Sequence, residues 1–299
     1  MSDEHFRLEI IESLSEVSAA DWNALLTPDA SPFLKHEFLS TLEETICVGR
    51  NTGWQVAHLA LYRSAQLIGA MPLYLKQHSY GEFVFDWSWA QAYEQQGMQY
   101  YPKALCAIPF TPVQGSRILF SPTEDVAQIQ RQLIAGLKTL VVQNHLSSAH
   151  ILFPLGEQTQ AMVDQGFMLR DSVQFHWHNQ NFINFEQFLA ALTMKRRKNI
   201  RQERDKVSRE GISFRHVPGQ LANDEDWAFF YRCYENTYIE HHSSPYLNQD
   251  FFRLIGKHMP ENLHLILAQR GDLPIAASLL FVDRTISKAY GRYWGALEH

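Results

Sequence analysis

Apolar positions near the start of the chain fall into short, well-separated runs. Leu8 to Ile11 reads as a strand, and helical patches follow near Ala19 to Leu26 and near His36 to Cys47, with Pro28 and Pro32 between them. Trp54 to Tyr62 and Leu67 to Leu75 carry few charges and are joined by RSAQ, which predicts adjacent strands of a hairpin. The aromatic segment Tyr80 to Trp89 is expected to continue in extended form, with Phe83 and Phe85 on one face. Ser121, Pro122, Thr123 and Glu124 match a capping box with proline in the first turn. The helix that follows places Ile129, Leu133, Leu137 and Leu140 on one face. His150 to Leu155 then reads as a strand, Gln158 to Gln165 as a short helix and Phe167 to Trp177 as another strand.

A long helix over Asn184 to Glu210, capped by Asn184 and stopped by Gly211, opens the second half. The element order then restarts: strand Ile212 to Val217, helices Asp224 to Ile239 and Gln249 to Lys257, and strands Leu263 to Gln269, Ile275 to Val282 and Ile286 to Tyr293. Two copies of one mixed α/β unit are therefore expected, residues 1–180 and 212–299, joined by a basic helix over 181–211. The second copy halts at His299 after its third meander strand, so it reads as incomplete, and this form of the chain is expected to be less soluble than a longer one or to self-associate.

Composition narrows the class. The 299 residues suit two compact units. The acidic, mixed start MSDEHFRLEIIE does not resemble a signal peptide, and no run approaches the roughly 20 apolar residues of a membrane helix. Cys47, Cys106 and Cys233 are odd in number and widely spaced, which fits reduced thiols and a cytoplasmic address. The net charge of −6 conceals a basic block, because Lys195 to Arg209 holds eight basic residues against Glu203 and Asp205. One concentrated patch on an acidic chain suits one anionic group at one place.

Five segments carry a resemblance: YGEFVFDWSWAQAY (Tyr80 to Tyr93), YPKALCAIPFTPVQGSRIL (Tyr101 to Leu119), SVQFHWHN (Ser172 to Asn179), KRRKNIRQER (Lys195 to Arg204) and YGRYWGALE (Tyr290 to Glu298). With the element order, they make the chain similar to FemAB-like N-acyltransferases of the GNAT superfamily, whose fold is a tandem pair of GNAT-like mixed α/β domains. The resemblance implies transfer of an acyl or aminoacyl group to a small-molecule or peptide amine. It implies acyl-CoA as co-substrate with no permanently bound cofactor, or charged tRNA as donor and partner. The GNAT pattern Q/R-x-x-G-x-G/A is not matched at Pro112 to Arg117, and the second copy ends before its equivalent.

Candidate chemistry falls in three places. Arg197, Arg201 and Arg204 share a helix face, with Lys198 beside them, and could grip a phosphate or carboxylate; the plain alternative is a solvated helix with an Asp205–Arg209 pair. Tyr80, Asp86, Tyr93 and Lys103, with Glu82 and Glu94, would suit a groove for a sugar or peptide, against ordinary core packing. On the last strand Arg292 would bind substrate while Tyr293 and Glu298 handle protons, with Gly291 and Gly295 permitting close approach. His176 and His178 have the spacing of two metal ligands but no third nearby, so no metal is expected. The rival to an enzyme is a noncatalytic scaffold that holds RNA or another polyanion on the basic helix.

Overall fold

The structure is a computed structural model that describes residues 6–84 and 86–298. The first half runs β1 (Phe6–Ile11), α1 (Ala19–Asn23), α2 (His36–Glu44), β2 (Trp54–Val56), β3 (His58–Arg63), β4 (Gln66–Met71), β5 (Leu73–Lys76) and α3 (Trp87–Gln95). It continues through β6 (Lys103–Cys106), β7 (Leu119–Phe120), α4 (Val126–Gln143), β8 (Ala149–Ile151) and α5 (Gly156–Asp164). The second half runs α6 (Phe185–Ala191), α7 (Met194–Arg209), β9 (Ile212–Pro218), α8 (Asp224–Glu240), α9 (Gln249–His258), β10 (Leu263–Arg270), β11 (Leu273–Asp283) and β12 (Lys288–Ala296).

The two apolar runs of the first half each feed two sheets. Each bends once, at Ala57 and at Pro72, whose ring removes a ladder donor. Their parts next to the connecting turn join the sheet β1-β3-β4-β7 and their far parts the sheet β2-β5-β6-β8. The expected hairpin exists as β3 and β4, antiparallel from Leu59↔Met71 to Arg63↔Gln66. The second half forms one antiparallel sheet, β9-β10-β11-β12, with α8 packed on β11 and β12. Gly295 makes that packing fit, since a Cβ there would lie 1.9 Å from the Cys233 carbonyl oxygen; Gly291 has no such crowding. The strand, two helices, then meander order of this half repeats the opening of the chain, as expected.

Several expectations are corrected. Asp125, not Ser121, caps α4, accepting from the Ala127 and Gln128 amides, because Ser121 closes a separate turn. The helix expected over Asn184 to Glu210 is two: Leu192 is extended and Thr193 caps α7. Asn184 does cap the first of them, and Gly211 follows α7 with φ +68°. Residues 80–89 turn instead of extending, with positive φ at Gly81 and Phe83, and enter α3; Phe85 lies outside the described residues. Phe167 to Trp177 pairs with no strand among the described residues, and residues 171–180 all stand in solvent. Alternation alone could not form that strand, because a ladder needs a second backbone.

A continuous core spans both halves. The Phe33 ring lies 4.6 Å from that of Phe281, and Phe38 meets Phe251 edge-on at 5.7 Å. Thr41 and His258 share a hydrogen bond of 2.9 Å, and Asn248 donates to the Thr45 carbonyl at 2.6 Å. Among the described residues no helix is long and apolar enough to cross a membrane.

Candidate active site

Register across one sheet creates the site. Trp54 of β2 pairs with Lys76 of β5, and Lys76 pairs with Lys103 of β6, so an indole and two lysines form a row. Both lysines are fully buried. Like charges directly opposite repel, so such a row persists only with counter-charges. These come from the turn after β5. Lys103 donates to Glu82 Oε2 at 2.9 Å, to Asp86 Oδ2 at 2.5 Å and to Ser79 Oγ at 3.0 Å, which uses all three of its protons. The Tyr100 hydroxyl adds a donor to Asp86 at 2.7 Å, and the Tyr101 hydroxyl shares a hydrogen bond with Ser79 at 2.7 Å.

Lys76 is held differently. It donates to the Tyr80 carbonyl at 3.3 Å and lies 3.7 Å over the Trp54 ring. Trp54 Nε1 donates to the same carbonyl at 3.2 Å. Burial brings Lys76 down to about 7, with Lys103 adding to the effect and Glu82 and Asp86 opposing it. The π face of Trp54 favours the ammonium and also opposes burial. Burial pushes the Glu82 carboxyl up despite Lys103. For Asp86 burial acts the same way, but hydrogen bonds from Lys103, Ser79 and Tyr100 outweigh it and hold the carboxyl low. His150 is driven down to about 4 by burial and then by Lys103. Glu82 Oε1 and Asp86 Oδ1 are buried without a hydrogen-bond partner.

From this cluster a line of rings crosses to the second half. Trp54 tilts against Phe110 at 5.1 Å, and Phe110 stacks on Tyr246 at 5.2 Å with 9° between planes. Tyr246 meets Tyr238 at 5.7 Å, Tyr238 meets Tyr234 at 4.9 Å, and Tyr234 meets Tyr293 at 5.4 Å. Arg292 Nη2 donates to the Phe110 carbonyl at 2.5 Å, while its Nε is buried without a partner. Gly81 lets the turn reach this line: its φ is +80°, and a Cβ would lie 2.6 Å from the Phe110 ring.

The family profile described as peptidoglycan biosynthesis/recognition, FemAB-like, matches residues 13–299. The chain belongs to the FemAB-like family. Both halves of this mixed α/β chain carry the order strand, helix, helix and meander. Among solved structures, the FemAB-like chain is similar to FemX, with 13% identity, a TM-score of 0.48, and coverage of 97% of this chain and 80% of that one. A tandem GNAT protein from the clavulanic acid biosynthesis pathway gives 10% identity, a TM-score of 0.41, and coverage of 99% and 80%. The aminoglycoside N-acetyltransferase AAC(6')-Iy in complex with CoA gives 17% identity, a TM-score of 0.35, and coverage of 58% and 95%. No curated protein matches the sequence.

In this FemAB-like chain the residues expected to act together separate into three groups. Asp86 and Lys103 meet directly, Tyr80 roofs them through its carbonyl contact with Lys76, and Tyr93 touches the cluster through the Tyr100 ring at 5.2 Å. Tyr293 ends the aromatic line, packed between Tyr234 and Phe252, and Arg292 reaches back from beside it to the Phe110 carbonyl. Glu298 is not with them: it is ion-paired to Arg270 on the exposed end of β10.

The basic face is a third place. Arg201 pairs with Glu186 at 2.6 Å, Arg204 lies 4.5 Å over the Phe185 ring, and Arg197 donates to the Leu192 carbonyl at 3.4 Å. Arg197, Lys198 and Arg201 line an open concavity of about 430 Å³ with Met194 and Gln202, which contains no residue of the lysine cluster. Arg209 donates to the Asp205 backbone carbonyl. Among the described residues no group of three or more His, Cys, Asp or Glu side chains could hold a metal, and the His176 and His178 rings stand 6.4 Å apart on irregular backbone.

Lys76 and Tyr246 were missed by sequence reasoning. Lys76 ends an apolar run and so reads as the boundary of a strand. The signal was present in a lysine that closes LYLK with no turn residue beside it.

Proposed function

We propose that this chain is an N-acyltransferase that moves an acyl or aminoacyl group onto a primary amine of a peptide-bearing acceptor. The aromatic line from Trp54 to Tyr293 supports this reading most, because it joins a buried lysine–carboxylate cluster in one half to the meander edge of the other. Trp54, Phe110, Tyr234 and Tyr293 are buried, so the line fixes the two halves against each other. Contact area for a sugar or peptide comes from Tyr80 and Phe83, exposed on the turn above the cluster. The donor is acyl-CoA or aminoacyl-tRNA, whose phosphates suit the face of Arg197, Lys198 and Arg201, and the site of action is the cytoplasm. The amine must lose a proton, attack the thioester or ester carbonyl and expel thiol or hydroxyl, which needs no resident cofactor.

A second reading rests on α7, which has no buried residue. In it the chain holds RNA or another polyanion and performs no transfer. Two measurements separate the readings. Acetyl-CoA titrated calorimetrically and then incubated with a lysine-containing peptide should give saturable binding and an acylated peptide by mass spectrometry. Absence of transfer from both acetyl-CoA and aminoacyl-tRNA, together with RNA affinity that falls steeply with salt, would reject the enzyme in favour of the binder.

A further inference from the structure

The lysine–carboxylate cluster balances its charges only while Lys76 is protonated, and it has acceptors to spare. Lys103 spends its three protons on Ser79, Glu82 and Asp86. Among the described residues Lys76 has one acceptor, the Tyr80 carbonyl, for its nitrogen. Glu82 and Asp86 are only 3% and 1% exposed, and each keeps one buried oxygen, Oε1 and Oδ1, with no partner. Both carboxylates act electrostatically on Lys76. With Lys76 neutral and both carboxylates ionised, the group carries one uncompensated negative charge in a low-dielectric setting, which is costly unless a cation arrives.

We propose that this cluster receives the primary ammonium of the acceptor, with the free oxygens of Glu82 and Asp86 taking its N–H groups and Lys76 taking its proton. This rests on the transferase reading and names its acceptor end. When Lys76 is neutral the ammonium supplies the positive charge that balances the two carboxylates, and moving one proton from it to Lys76 leaves the total charge unchanged. The freed amine then attacks the donor carbonyl: a C–N bond forms, the C–S or C–O bond to the donor breaks, and the leaving sulfur or oxygen takes up a proton. Lys76 returns its own to solvent. The groups that face Lys76 are Trp54 on β2, Lys103 on β6, Glu82 and Asp86 from the turn, and His78, whose pKa burial and Lys76 both lower. The turn that carries Glu82 faces solvent. Glu82 is flanked by Gly81 at φ +80° and Phe83 at φ +58°, and the Tyr80 and Phe83 side chains stand 58% and 45% exposed on its outer side.

The test is competitive trace acetylation of the native protein with acetic anhydride between pH 5 and 10, read lysine by lysine by mass spectrometry, with and without Nα-acetyl-lysine methyl ester as the amine probe. Lys76 is expected to label with a midpoint near pH 7, against about 10.4 for ordinary lysines, and to be protected by the probe. An unlabelled Lys76, an ordinary midpoint, or labelling indifferent to the probe overturns the proposal. Labelling requires no turnover, so it stands apart from the transfer assay. Protection of Lys76 without any transfer leaves the ammonium site in place and removes the transferase reading. Full transfer by Lys76→Met removes only the role given to Lys76.

Discussion

Lys76 and Lys103 face each other directly across β5 and β6, both without solvent exposure, yet only Lys103 is ion-paired with carboxylates. That asymmetry lets two identical side chains differ. One is held by two carboxylates, whereas burial brings the other down to about 7.

Removing the paired lysine should be severe. Lys103→Met strands Glu82 and Asp86 in the interior, and loss of one partner from a buried ion pair costs about 3–5 kcal/mol. Urea unfolding followed by circular dichroism measures this. Adding Glu82→Gln to Lys103→Met should recover part of the loss; a single substitution that is neutral would show the cluster to be solvated.

His150 should give a pH-dependent signature. Its folded pKa, about 4, lies below the ordinary 6.5, so between these values the unfolded chain binds more protons and stability falls as pH falls. The upper bound is about 3 kcal/mol. His150→Gln should flatten the stability curve from pH 6.5 to 4, and an unchanged slope would assign that loss to other groups.

The stack of Phe110 on Tyr246 ties the halves together at the candidate site. A double-mutant cycle with Phe110→Leu and Tyr246→Leu should give a coupling of about 0.5–1.5 kcal/mol. Zero coupling would mean that the rings are neighbours without being partners.

On α7 the exposed pair of Arg201 and Glu186 should contribute little, about 0–1 kcal/mol, because solvent screens it. Arg201→Ala is therefore expected to leave the melting temperature nearly unchanged. The triple change Arg197→Ala, Lys198→Ala, Arg201→Ala should reduce both the affinity for a polyanion and its salt slope. Retained affinity would remove α7 from every functional role.

Phe175, 97% exposed on the irregular segment, supplies no core contact. Phe175→Ser should change stability by less than about 0.5 kcal/mol while lowering any concentration-dependent association seen by sedimentation.

Element order and core faces were legible because local periodicity causes them. The Ile129, Leu133, Leu137 and Leu140 stripe, the Asn184 cap and the three-strand meander all follow from spacing within a few residues. Sequence also named Asp86 and Lys103 together, two charges in aromatic surroundings, and the fold pairs them. It could not see that Trp54, Lys76 and Lys103 form one row, since sheet register is fixed by pairing between strands far apart in the chain. Nor could it tell which alternating segment finds a partner: β11 did, whereas residues 171–180 did not. Only the fold decided that Arg201 is engaged by Glu186 and Glu298 by Arg270, and that Lys76 is buried where charge is costly. A side chain's chemistry is local, but its charge state and its partners depend on the low-dielectric surroundings that distant segments assemble.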